Sequence, residues 1–234
     1  MCGRYVLPAV NDILANWPGA VTTLPPAPAN YNVAPTQTIL ILALAGDGAW
    51  QLRPARWGLI PAWWNRPAPP ALAFNARAEE AASKPMWRDS LRACRCLLPA
   101  LGWYEWSQTE RAETPTGQLT PQPYYFHSPA HPVLALAGLW APPRATDTPL
   151  ETCAMLTTAA TPALATIHHR MPVVLNPAQQ AAWLDPATPP KSLPDLLRES
   201  CTDLQTHCVS LRVNSVHHNT PDLITPAPPP QALF

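Results

Sequence analysis

The chain opens Met1-Cys2-Gly3-Arg4. Methionine is normally removed ahead of a residue as small as cysteine, which leaves an α-amine and a thiol on one residue. The amine (pKa about 7.7 to 8) and the thiol (about 8.5) each keep a reactive deprotonated fraction near neutrality. Such a 1,2-aminothiol condenses with an aldehyde to an imine, and the thiol then closes a five-membered thiazolidine ring. An internal cysteine lacks the amine and cannot do this. Gly3 lets the backbone lie close to a bulky partner.

Three further segments carry chemistry. In Phe74-Asn75-Ala76-Arg77-Ala78-Glu79, strand-like alternation sets an amide, a cation and a carboxylate on one side. Asn75 can hold an amine or a sugar oxygen and Arg77 a phosphate; a solvated Arg–Glu pair at a strand end has the same pattern. Glu105 ends an apolar run between Tyr104 and Trp106, where partial desolvation would raise its pKa and suit it to proton transfer. In Ile167-His168-His169-Arg170-Met171-Pro172, an imidazole that titrates near neutrality can protonate or deprotonate a leaving group. Arg170 can share the side of His168 and hold a phosphate. Adjacent histidines lack the i,i+4 spacing of a helical metal pair and have no nearby carboxylate or thiol, so no metal is expected.

The elements that must position these residues read as mostly strands. An extended segment (1–6) leads to a helix over 8–17 with proline at its start, then a Pro-rich loop (23–30). Runs 38–44 and 50–57 flank Gly46-Asp47-Gly48 and predict a hairpin. Residues 61–70 form a loop carrying Trp63 and Trp64, and 83–94 has helical spacing. Strands are expected at 96–99, 102–106, 124–127, 133–140, 152–158, 171–175 and 209–213, with a polar loop or hairpin tip at 108–122. Helices are expected at 177–184 and 193–199. This order is not a regular βαβ alternation. It predicts an α+β fold: one compact domain over 1–234, with a twisted, mostly antiparallel, barrel-like β core, peripheral helices and a Pro-rich tail from about 221.

Composition fits a folded domain with proline-stiffened loops: 47% hydrophobic residues, and 33 Pro beside 8 Gly. Charged residues are 13%, about half the usual share, and the net charge is zero, so any nucleic-acid surface must be local. Only Lys84 and Lys191 of the 15 basic residues are lysine, which leaves guanidinium groups suited to forked phosphate contacts. No 18-residue apolar span or signal-peptide pattern is present, and the six cysteines contain no CxxC pair. Reduced thiols in the cytoplasm are expected, with nucleoid association if the chain is bacterial.

Taken together and in order, these segments resemble the SOS-response-associated peptidase family, whose members process abasic sites. The matching stretches are MCGR (1–4), YNVAPTQ (31–37), RWGLIPAWW (56–64), FNARAEE (74–80), CLLPALGWYEW (96–106), AGLW (137–140), LTTAAT (156–161) and IHHRMPVVL (167–175). The resemblance implies a covalent thiazolidine between Cys2 and the abasic-site aldehyde in single-stranded DNA, formed by a monomer without cofactor or metal. It assigns Cys2 as nucleophile and Asn75 as the group that positions the Cys2 amine and the opened sugar. By the same resemblance Glu105 moves protons and takes part in removing Met1. His168 becomes the general acid/base linked to strand cleavage or crosslink reversal, because the family pattern is His-x-Arg. Arg4, Arg77, Arg170, Pro35 and Thr157 become DNA contacts, and Trp63 with Trp64 an aromatic wedge against bases. Two positions depart from the pattern: Leu101 replaces an acidic residue and Trp103 a phenylalanine. An amino-terminal-nucleophile amidohydrolase or glutamine amidotransferase, and a non-catalytic single-stranded DNA-binding module, are the alternative readings.

Overall fold

The computed structural model describes residues 2–66, 72–143, 150–197 and 203–228. Met1, the 67–71 part of the proline-rich spacer, Cys201 and the 198–199 end of the last expected helix lie outside them.

In chain order the elements are β1 (Tyr5–Leu7), α1 (Val10–Asn16), β2 (Ala20–Val21), β3 (Asn30–Val33), β4 (Thr38–Leu44), β5 (Trp50–Trp57) and β6 (Asn75–Arg77). Then come α2 (Ala78–Ala81), α3 (Pro85–Ala93), β7 (Arg95–Ala100), β8 (Gly102–Glu113), β9 (Leu119–His127) and β10 (Leu134–Ala141). The remainder are β11 (Glu151–Ala159), α4 (Pro162–Ala165), β12 (Arg170–Pro172), β13 (Val174–Leu175), α5 (Pro177–Leu184), α6 (Leu193–Leu196) and β14 (Gln205–Cys208).

Five strands pair in a closed circuit. β4 joins β5 and β7, β7 joins β10, β10 joins β11, and β11 returns to β5 through the parallel register Glu151↔Ala55 to Cys153↔Trp57. Closure removes the free edges that an open sheet must protect. The apolar runs are buried on both faces, and alternate side chains enter different cores. Ile39, Ile41, Cys96, Leu98, Leu136, Cys153 and Met155 belong to one, with Cys2 from the chain start and Tyr5, Trp103 and Phe126 of the second sheet. Leu42, Leu97, Ala137, Leu139, Ala154 and Leu156 enter the other, covered by Ile13 and Trp17, Leu91, and Trp183 with Leu184. Helix α5 starts where the sequence allows it: Asn176 and Gln179 form a reciprocal capping box around Pro177.

The second sheet has the order β14-β9-β8-β1-β3. It brings the chain start beside Glu105, because β1 lies between β8 and β3, with Tyr5 opposite both Trp103 and Val33. A Cβ on Gly102 would lie 2.2 Å from the Phe126 carbonyl oxygen, so β8 can run this close to β9 only from glycine. The two departures from the family pattern are absorbed by packing. Trp103 is fully buried and stacks on Phe126 at 5.2 Å, and Leu101 packs on the cluster of Val6, Tyr104, Val209 and Val213.

The expected strand over 209–213 is not formed. Pairing ends at Cys208, and Leu211–Asn214 is a 3-10 helix whose start is capped by the Ser210 side chain. The turn has a physical reason: it aims the Val213 carbonyl at the Arg4 and Asn32 side chains. The polar stretch 108–122 is mostly the two strands of a long arm, with only 114–118 as the turn, because both of its faces meet solvent. Periodicity over 171–175 does not resolve the break into β12 and β13, and it misses β2 and β3.

Asn32, 1% exposed, ties the carboxy-terminal segment down. Its Nδ2 donates to the carbonyls of Val213 (3.3 Å), Ser215 (2.9 Å) and His218 (2.8 Å), while its Oδ1 accepts from Arg4 at 2.7 Å. Asn32→Ala leaves several of these groups unmatched and is expected to lower stability by roughly 2 to 4 kcal/mol, measured by urea unfolding.

Candidate active site at the amino terminus

Strand β11 organises the site. On one side it pairs first with β5 and then with β6, in the parallel register Met155↔Asn75 to Thr157↔Arg77; on the other it pairs with β12 through Ala159↔Arg170. The chain leaves this seam after Trp57 and returns at Phe74, so Trp63 and Trp64 lie on the excursion between β5 and β6.

Four predicted residues meet. Asn75 Nδ2 donates to the Cys2 carbonyl at 2.9 Å, and its buried Oδ1 has no hydrogen-bond partner among the described residues. The Cys2 side chain is buried and lies close enough to the Glu105 carboxyl for each to perturb the other's titration. His168 Nδ1 lies 3.7 Å from Glu105 Oε1. Burial, and then the neighbouring Glu105 carboxyl, push the Cys2 thiol pKa well up, so the sulfur rests protonated. Glu105 is 2% exposed, and desolvation raises its pKa from 4.5 to about 7. Desolvation also lowers the His168 pKa, favouring the neutral ring. One carboxyl that titrates near neutrality is therefore held beside a thiol and an imidazole.

The imidazole is framed by one residue. Its Nδ1 is 3.0 Å from the Arg170 carbonyl and 3.2 Å from the Arg170 N–H, and a neutral ring can satisfy only one of these at a time. The exposed His169 packs its ring 4.6 Å from that of His168 and meets Gln108 Nε2 through its own Nδ1 at 2.9 Å.

The expected DNA contacts differ in availability. Arg77 is exposed and reaches Glu80 at 3.4 Å. Arg170 is mostly buried: it forks onto Glu79 at 2.8 and 3.0 Å and donates to the Thr157 carbonyl at 2.7 Å and hydroxyl at 3.2 Å. Thr157 is buried beneath it rather than on the surface. Arg4 is half-buried, with Nη1 on Asn32 and on the Val213 carbonyl (2.6 Å), and its guanidinium stands 5.7 Å from the Trp106 ring. Pro35 lies in a tight loop before Thr36, a non-glycine residue at φ 78° held by its N–H to the Trp57 carbonyl at 2.7 Å. Trp63 is half exposed and meets Trp64 edge-on at 5.9 Å, with Arg66 over Trp64 at 5.5 Å.

Sequence reading missed Asn32 and the role of Glu79. A lone amide inside a strand-like run, Tyr31-Asn32-Val33, is the signal for the first; the second has none without knowing that β6 and β12 flank one strand. Among the described residues no group of three His, Cys, Asp or Glu side chains could hold a metal. No helix there is long and apolar enough to cross a membrane.

A closed β core with a second sheet, and a thiol, amide, carboxyl and imidazole gathered near the chain start, define a Cys2-centred site on an α+β scaffold. The chain belongs to the SOS response associated peptidase family, whose model matches residues 1–216. It is 35% identical over 231 residues to the abasic site processing protein YoqW of Bacillus subtilis, covering 96% of this chain and 99% of that one. It is 31% identical to the abasic site processing protein HMCES of Gallus gallus, over 73% of this chain and 56% of that protein. A crystal structure of a Bacteroides thetaiotaomicron protein shares the fold, with a TM-score of 0.81 at 21% identity over 97% of this chain and all of the other.

Proposed function

We propose that this protein, acting as a monomer without metal or cofactor, captures the ring-opened aldehyde of an abasic site in single-stranded DNA on Cys2 after Met1 has been removed. The observation that carries the reading is the contact series Asn75–Cys2–Glu105–His168 at the start of the chain. The names of the relatives, abasic site processing proteins, support the choice of aldehyde.

Hydrolysis of the Met1–Cys2 bond consumes one water and bares the α-amine. That amine adds to the aldehyde carbon, and loss of water from the carbinolamine gives the imine. The thiol sulfur then bonds to the imine carbon while its proton passes to the nitrogen, so one aldehyde and one aminothiol yield a thiazolidine and one water. Glu105, with a pKa of about 7, is suited both to give the proton that expels water and to take the proton from the thiol. Asn75 Oδ1 offers an acceptor for the amine or a sugar hydroxyl. His168 acts as acid/base at the sugar, in strand cleavage or crosslink reversal. Arg77 and Arg170 receive phosphates, and Trp63 with Trp64 offer faces for stacking bases.

Mixing the protein with single-stranded DNA bearing one abasic site is expected to give a heat-stable adduct on a denaturing gel, absent with undamaged DNA. Reversible binding alone, or amide hydrolysis without DNA, would replace this reading. Arg77→Ala is expected to weaken binding to the same strand and flatten its dependence on log salt by about 0.7 per lost phosphate contact, read from titrations at several salt concentrations.

A further inference from the structure

The Arg170 guanidinium ties β12 to β11 and to the helical turn after β6, at the edge of the site. Glu79, on the single turn α2 that follows β6, reaches across β11 to grip Arg170, the first residue of β12. Between them lies Thr157, which accepts from Arg170 and whose hydroxyl stands 3.4 Å from the Ala76 carbonyl. The Arg170 side chain is only 13% exposed and Glu79 is 50% exposed, so the fork is anchored from the buried arginine side. The same residue presents both its N–H and its carbonyl to His168 Nδ1.

We propose that Glu79 is a positioning residue for His168: by fixing Arg170 across β11 it selects the imidazole tautomer presented to the substrate. If the Arg170 N–H donates to Nδ1, the proton sits on Nε2; if Nδ1 donates to the Arg170 carbonyl, Nε2 is left as an acceptor. Both peptide groups lie within hydrogen-bond reach, so a small displacement of Arg170 exchanges one tautomer for the other. Glu79 also stands where a phosphate would meet the exposed edge of Arg170, and its charge opposes the strand. Removing it therefore has two consequences of opposite sign: DNA binds more tightly, while the step that uses His168 slows. A residue that merely held the fold together would lower both.

The charged and titratable groups around the ring are Glu105 from β8 at 3.7 Å, His169 at 4.6 Å and Arg170 on its own segment, and the amino-terminal charge; Glu79 acts through Arg170. With Glu79 neutralised, the positive charge of Arg170 is left uncompensated beside the imidazole, and protonation of His168 becomes harder. Its titration midpoint should move to lower pH.

The test uses the full-length protein with ¹⁵N-labelled histidine, the ring signals of His168 being assigned by their loss in His168→Gln. Glu79→Gln is expected to change the tautomer-sensitive ¹⁵N shifts of His168 and to move its titration acidward. Glu79→Asp keeps the charge but is one methylene too short for the fork, and should fall between the two. In single-turnover assays Glu79→Gln should bind abasic single strands about two- to fivefold more tightly and cleave or reverse about tenfold more slowly. Unchanged His168 signals, an unchanged rate, or a parallel loss of binding and rate with a lower melting temperature would overturn the proposal. The kinetic arm rests on the abasic-site reading. If the wild type forms no adduct that reading fails, and the ring signals still decide the role of Glu79.

Discussion

Replacing Cys2 by alanine is expected to reduce the heat-stable adduct with abasic single-stranded DNA by ~10²-fold or more, to the background of the gel. The substitution keeps an α-amine once Met1 is removed, so an imine can still form; only ring closure is lost. Borohydride should therefore trap the Cys2→Ala protein on the strand by reducing that imine, whereas the wild type needs no reductant. Cys2→Ser places a hydroxyl, a far weaker nucleophile than a thiolate, at the closing position and should behave like alanine. This pairing separates the amine's contribution from the thiol's. It also bears on the buried site, since the Asn75 bond to the Cys2 carbonyl involves no side-chain atom of residue 2 and should survive. Equal crosslinking by Cys2→Ala and wild type without reductant would remove the thiol from the mechanism.

Glu105→Gln is expected to slow thiazolidine formation by about 10²- to 10⁴-fold, the usual worth of a positioned acid or base. Glutamine keeps the volume and one acceptor but can neither give nor take a proton. The same change should raise stability above neutral pH. The folded pKa of Glu105 lies above the ordinary carboxylate value, so the folded state holds a proton that the unfolded chain has released. That contribution is fully present below about pH 4.5 and is lost as pH rises through about 7. For this buried group the loss is on the order of 3 kcal/mol. The variant has no such titration, so the difference in unfolding free energy, variant minus wild type, should grow between these two pH values and then level. A slow adduct with no pH-dependent stability difference would show that the carboxyl is ionised throughout and is not a proton donor near neutrality.

Glu105 also illustrates how far the sequence could be read. Its flanking aromatics, Tyr104 and Trp106, led to a correct expectation of a desolvated carboxyl, because alternation along β8 and the apolar run before it already imply burial. The strands 38–44, 50–57 and 133–140 were legible for the same reason. The turn at 211–214, where a strand over 209–213 is expected, was not, because an apolar run does not reveal that Arg4 and Asn32, far away in the chain, need a carbonyl there. Arg170 is expected from the sequence to hold a phosphate; what local pattern does not reveal is that it also forks onto Glu79 and bonds Thr157.

The sequence by itself determined the chemistry available to this protein: a cysteine directly after the initiator methionine, a carboxyl at the end of an apolar run, an imidazole, and arginines in place of lysines. These follow from residue type and from near neighbours, which local composition records. Tertiary structure alone decided that the groups meet. Closure of the barrel puts β6 and β12 on either side of β11, and the second sheet lays β1 against β8. Such pairings depend on contacts between residues about ten to a hundred positions apart, and no local pattern encodes them.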